Sequence, residues 1–97
     1  MNDLAALTRD YRVALLRYLP RREEAPLASG YELGRTALAH GVSILELARV
    51  HHDVLLDVLR DTRPDEVVGV AAAAADFFLE VLAAADMTHR GLRGATD

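Results

Sequence analysis

Apolar residues recur at spacings of three and four along most of this chain, and the pattern breaks at three places. Leu4, Leu7, Tyr11, Ala14, Leu15 and Tyr18 share one face of a helix over about residues 3–19, with Arg9, Asp10, Arg12 and Arg17 mostly on the other. Asn2 or Asp3 caps it. Pro20 ends it, because the residue before a proline disfavours helical ψ. A second helix is predicted over about residues 25–40. Pro26 sits in its first turn, Glu23 and Glu24 lie near its positive end, and Leu27, Tyr31, Gly34, Ala37 and Leu38 form its inner stripe. Gly30 and Gly34 are four apart and would leave a shallow groove for the close approach of another helix.

The joint that follows is the clearest local signal. His40 and Gly41 fit a helix C-terminus, Gly41 in the left-handed position. Ser43 and Glu46 form a capping box, and Val42 and Leu47 are placed as a hydrophobic staple. Helix three then covers about residues 43–61, with Leu47, Val50, His51, Val54, Leu55, Val58 and Leu59 inward. Residues 31–59 thus read as a helical hairpin.

Thr62 is the expected N-cap of a fourth helix over about residues 63–91, with Asp65 at N3 and the tail beyond Met87 fraying. Its middle, VVGVAAAAADFFLEVLAAA, is apolar nearly all round, with Glu66, Asp76 and Glu80 as its wet stripe. A helix apolar on most faces is buried on more than one side. Three shorter helices cannot cover it, so a second copy of the chain is the expected cover. The fold expected is all-α: a four-helix bundle with a long C-terminal helix, one domain over residues 1–97, and dimeric.

Composition supports this reading. A chain of 97 residues buries a modest share of its surface and calls for added stabilisation. Cysteine is absent, which excludes disulfides and fits a reducing compartment; the apolar share is 52%. Net charge is −4, from 15 acidic and 11 basic residues, all of the latter arginine. That balance argues against a nucleic-acid face. The N-terminus is not a signal peptide, and the apolar run over residues 67–75, interrupted by Asp76 and Glu80, is short for a membrane span. A cytoplasmic location is expected.

No catalytic set emerges. His51 and His52 are adjacent, so they point about 100° apart on a helix and cannot share an ion from one face. His40 and His89 have no ligand-like neighbours, so no metal or other cofactor is expected. Ser29 and Ser43 have turn or cap roles. Asp76 and Glu80 are read as a solvated stripe, and no glycine-rich phosphate loop exists. His51, if buried against polar groups, could orient a partner or respond to pH.

Four segments occur in order: Tyr31-Glu32-Leu33-Gly34-Arg35, the helix start Gly41-Val42-Ser43-Ile44-Leu45-Glu46-Leu47, the pair His51-His52, and Met87-Thr88-His89-Arg90-Gly91. Together they resemble the N-terminal domain of RsbU-type phosphatases, the KaiA/RsbU-like helical domain, over residues 11–93. The resemblance implies a homodimeric helical bundle, non-catalytic itself, in the partner-switching pathway that controls alternative sigma factors in the bacterial stress response. It implies that an RsbT-like serine kinase docks on the domain and stimulates an attached PPM-type phosphatase. On that basis Tyr31, Glu32, Arg35, His51, His52, His89 and Arg90 are expected to be partner-facing or motif-stabilising, with Glu32, Arg35 and Arg90 able to form interface salt bridges. No phosphatase segment follows in this sequence, so the chain reads either as an excised domain or as a free-standing version; Met1 reads as a natural start, which would place any missing part after Asp97. Relatives carry a segment like SPFEM where this chain has Ala83-Ala84-Ala85-Asp86-Met87, so helix four should continue without a proline kink. Two other readings remain: a small-molecule sensor using space left by Gly34, Gly69 and Ala71 to Ala75, and a pure dimerisation module.

Overall fold

A computed structural model describes the backbone of residues 3–96 and the side chains of residues 4–87. Four helices form the fold: α1 (Asp3–Tyr18), α2 (Glu24–Ala39), α3 (Ile44–Arg60) and α4 (Val67–Thr96), the last preceded by a 3-10 turn at Pro64–Glu66. The described residues contain no strand.

α2 and α4 are the closest-packed pair, and glycine is the reason. A Cβ at position 34 would fall on the backbone carbonyl oxygen of Val81, and one at position 30 would lie 2.9 Å from the Phe77 ring. The register advances from Gly30–Phe77 to Gly34–Val81, so the two helices run parallel. α1 packs on α2 and α3, and α3 on α1 and α4, whereas α2 and α3 scarcely touch beyond their joint. The hairpin expected over residues 31–59 is therefore a correct turn between two helices that both pack on α1 and α4 and scarcely on each other. Parallel α2 and α4 need a crossover, and α3 supplies it.

The core unites Tyr11, Leu15 and Tyr18 of α1 with Leu47, Val50 and Val54 of α3 and Phe77, Val81 and Ala85 of α4. Tyr11 meets Phe77 edge-on at 5.3 Å between ring centroids. From α2 only Gly30, Gly34 and Ala37 are fully buried. Tyr31 and Leu38, expected on the inner stripe, are half-buried because the contact with α4 centres on the glycines.

The joint forms as expected and joins two motifs. Gly41 adopts φ +86°, and the N–H groups of Gly41 and Val42 donate to the carbonyls of Leu38 (3.1 Å) and Ala37 (3.0 Å). This is a Schellman motif, with Val42 packed in the core beside Ala37. At Ser43 the backbone N–H donates to Glu46 Oε1 (3.0 Å), and Ser43 Oγ accepts from the Glu46 N–H (3.1 Å). Ser43→Ala is expected to lower stability by about 1 kcal/mol, read by urea titration, with Ser43→Asp retaining most of it.

Two boundaries differ from expectation. Thr62 is not an N-cap: its hydroxyl donates back to the Val58 carbonyl (2.6 Å), closing α3. The chain passes through the 3-10 turn before α4, without a side-chain cap. α4 also continues past Gly91 and Gly94 to Thr96. Glycine lowers helix propensity but does not stop a helix unless the chain turns away there. The helix runs unbroken through Ala83–Met87, as the missing proline implied. Its 30 residues span about 45 Å, nearly the whole 50 Å long axis of the molecule.

Membrane length also needs revising. Pro64–Met87 is long and apolar enough, by length and composition, to cross a bilayer. Its buried side nonetheless forms the core of the bundle through Ala73, Ala74, Phe77 and Val81.

Candidate interaction site

The expected site residues do not converge. Glu32 and Arg35 lie exposed on α2, paired with each other at 3.8 Å, and Tyr31 is half-buried nearby. His52 is exposed on α3, the helix that α2 hardly meets. The side chains of His89 and Arg90 lie outside the described residues, as does any ion pair from Arg90 to α2.

His51 needs the largest correction. It is only 4% exposed, so it cannot present itself to a partner. Its Nδ1 lies 2.6 Å from the Tyr11 hydroxyl of α1, and its ring stacks on Phe78 of α4 at 4.0 Å and 4°. His51 thus ties three helices together. Burial is the main force pushing its pKa down to about 4, with the neighbouring His52 adding to it. Burial also raises the Tyr11 phenol above its ordinary value, so its proton stays in place. We therefore assign neutral His51 with the proton on Nε2, Tyr11 donating to Nδ1. Helical spacing placed His51 inward, but the partner on α1, 40 positions earlier, left no local signal.

A second polar tie runs outside this one. Arg12 of α1 donates to Asp57 of α3 at 2.7 Å, and Arg60 approaches the same carboxylate at 3.2 Å. The Arg12 hydrogen bond, followed by the charges of Arg12 and Arg60, holds the Asp57 carboxyl below its ordinary range. Sequence inspection missed Asp57, since i, i+3 spacing to Arg60 is common on any helix. Among the described residues no three His, Asp or Glu side chains gather as a metal site.

Two surfaces stand out. The outer face of α4 exposes Val68 (82%), Leu79 (65%) and Met87 (59%), along with Ala72, Ala75 and Ala83. The space a sensor would have used at Gly34 is filled by Val81, and Ala73 and Ala74 are packed in the core. A concavity lies instead along α1 and α2, with a volume of about 650 Å³.

The described residues thus form a helical bundle with its polar groups spread over outer faces and an uncovered apolar stripe on α4. The family model described as phosphoserine phosphatase RsbU, N-terminal domain, matches residues 9–88, and the chain belongs to that family. This is the regulatory N-terminal part of such phosphatases rather than their catalytic domain, and it points to a regulatory role in partner-switching pathways. No curated protein and no solved structure matches the chain.

Proposed function

We propose that this chain is a homodimeric module that docks an RsbT-like switch kinase and passes its presence to a serine/threonine phosphatase, in the control of an alternative sigma factor. The observation that carries the dimer is the uncovered apolar face of α4. Val68, Ala72, Ala75, Leu79 and Ala83 follow one another at spacings of three and four, opposite the face already spent on the core. Stripes of this kind on small domains mark interfaces. The alanines between and beyond Val68 and Leu79 allow two such helices to approach closely. The kinase then meets exposed polar groups, among them Glu32, Arg35 and His52, while His51 acts from inside by fixing α3 against α1 and α4.

Light scattering at low micromolar concentration is expected to give twice the chain mass, and Leu79→Glu to give the chain mass with helicity unchanged. A monomeric parent protein removes the dimer. Pull-down with a switch-type serine kinase is expected to recover a complex that Arg35→Glu weakens. Retention of full binding by both Arg35→Glu and His52→Glu moves the docking face elsewhere.

A further inference from the structure

We propose that a second copy of this chain is met by two helices, α3 as well as α4, with the seam between them at the centre of the contact. The inference rests on the dimer proposed above and assigns the surface that completes it. Successive side chains on a helix point about 100° apart, so four consecutive residues mark the sides of each helix. On α4, Phe77 lies in the core, and Phe78 is half-buried against α3 through its stack on His51. Leu79 then points outward, 65% exposed, and Glu80 is half-buried on the opposite flank, where α2 packs. On α3, Val54 lies in the core, Leu55 is half-buried, Leu56 is 53% exposed, and Asp57 turns to Arg12 of α1. Leu55 therefore lies on the α4 side. The apolar surface of α4 thus passes over Phe78 and Leu82 onto Leu55 and Leu59 of α3, and ends at the exposed Leu45 and Leu56.

Area requires the second helix. The α4 stripe from Val68 to Ala83 is about 22 Å long and one helix is about 10 Å across, a footprint on the order of 220 Å². A stable dimer buries about 600–1,000 Å² on each partner. Adding α3, packed about 10 Å away, roughly doubles the footprint, and the relief of the side chains brings it close to the lower end of that range. The other flank of α4 offers no such extension. Asp76 and Glu80 border the stripe there, and the Glu32–Arg35 pair lies exposed on α2. Charge and shape select a second copy as the occupant. Two chains of net charge −4 repel, so they meet best on a face without carboxylates. Leu55, Leu56, Leu59, Phe78, Leu79 and Leu82 form such a face, and Arg49, Asp53 and Asp76 stand at its margins as a polar rim. A two-fold contact also needs one surface to supply both ridge and groove. Here Leu56 and Leu79 are the ridges, and the seam at Leu55 and Phe78 is the groove. His52, on the outer side of α3, then touches the second copy, which leaves Glu32 and Arg35 as the polar groups free for the kinase.

The test compares Leu45→Glu and Leu56→Glu with Leu79→Glu and with Ala28→Glu, an exposed position on α2 outside the face. In sedimentation equilibrium each α3 variant is expected to raise the dimer Kd at least about tenfold, because a carboxylate would be buried without a partner. Leu79→Glu is expected to abolish the dimer and Ala28→Glu to leave it unchanged, with equal helicity by circular dichroism throughout. A second measurement needs no variant. Dilution of the parent chain through its dimer Kd is expected to move the amide signals of Leu55, Leu56, Phe78 and Leu82. A dimer that Leu79→Glu breaks and both α3 variants keep in full leaves the dimer standing and overturns the contact through α3. Dilution shifts confined to α4 and α2 overturn it as well. A parent chain that is monomeric at every concentration instead removes the dimer on which the contact rests. Loss of capture by a switch-type serine kinase in Leu56→Glu, with an unchanged dimer, gives the α3 face to the kinase and overturns the assignment.

Discussion

Gly34→Ala is expected to destabilise the domain by about 2 kcal/mol, although alanine is the better helix former by about 1 kcal/mol. The added methyl group would meet the backbone carbonyl of Val81, which cannot rotate out of the way as a side-chain tip would. α2 and α4 must move apart along their whole contact, and the parallel pair is the tightest seam in the fold. Gly69→Ala supplies the opposite sign on the neighbouring helix. Gly69 is exposed, and a Cβ there would lie 3.9 Å from the Arg22 guanidinium, so the propensity gain of up to about 1 kcal/mol is kept. For a domain of this size the pair of variants should differ in Tm by on the order of 10 °C or more. If Gly34→Ala is as stable as the parent, α2 and α4 do not approach as described. Gly30→Ala falls between them, because its obstacle is the Phe77 ring, a side chain with some room to tilt.

The second large effect is acid lability from His51. Its folded pKa of about 4 lies below the ordinary 6.5, so between those values the unfolded chain holds a proton that the folded chain refuses. Stability is then complete above about pH 6.5 and falls as pH drops toward 4, by about 3 kcal/mol over the window. Asp57 acts with the same sign at lower pH, since its carboxyl is depressed by Arg12 and its contribution is lost as it protonates. Urea titrations at pH 7, 6, 5 and 4 are expected to show the decline in the parent and in Asp57→Asn. In His51→Leu the decline between pH 6.5 and 4 should vanish. That variant is less stable at pH 7 by about 1–3 kcal/mol, because the buried Tyr11 hydroxyl loses its partner. Adding Tyr11→Phe should restore part of that loss. An unchanged pH slope in His51→Leu assigns the titration to another group.

These two expectations show where inspection of the chain succeeded and where it stopped. Local patterns were legible because their partners are near in sequence. The capping box at Ser43, the left-handed Gly41 and the inward positions of α1 and α3 all depend on neighbours within about six residues. The family motifs were legible in the same way. The interaction residues were read less well, because spacing tells which side of a helix a residue occupies but not what lies opposite. His51 looked like a docking residue and proved to be the link to Tyr11 and Phe78. Glu32 and His52 were both expected to face a partner and lie on helices that scarcely touch each other.

The sequence by itself determined four helices, the turn chemistry of the joint between α2 and α3, the family, and an excess of apolar surface on the last helix. Those follow from period, caps and composition, which act over one or two turns. Tertiary structure alone decided that α2 pairs with α4 instead of α3, that the glycine groove is filled from within the chain, and that an open concavity lies along α1 and α2. Each of these depends on which helices stand opposite one another. That choice is made by close packing between residues some 47 positions apart, Gly30 with Phe77 and Gly34 with Val81, where removing a side chain from one helix lets the other approach.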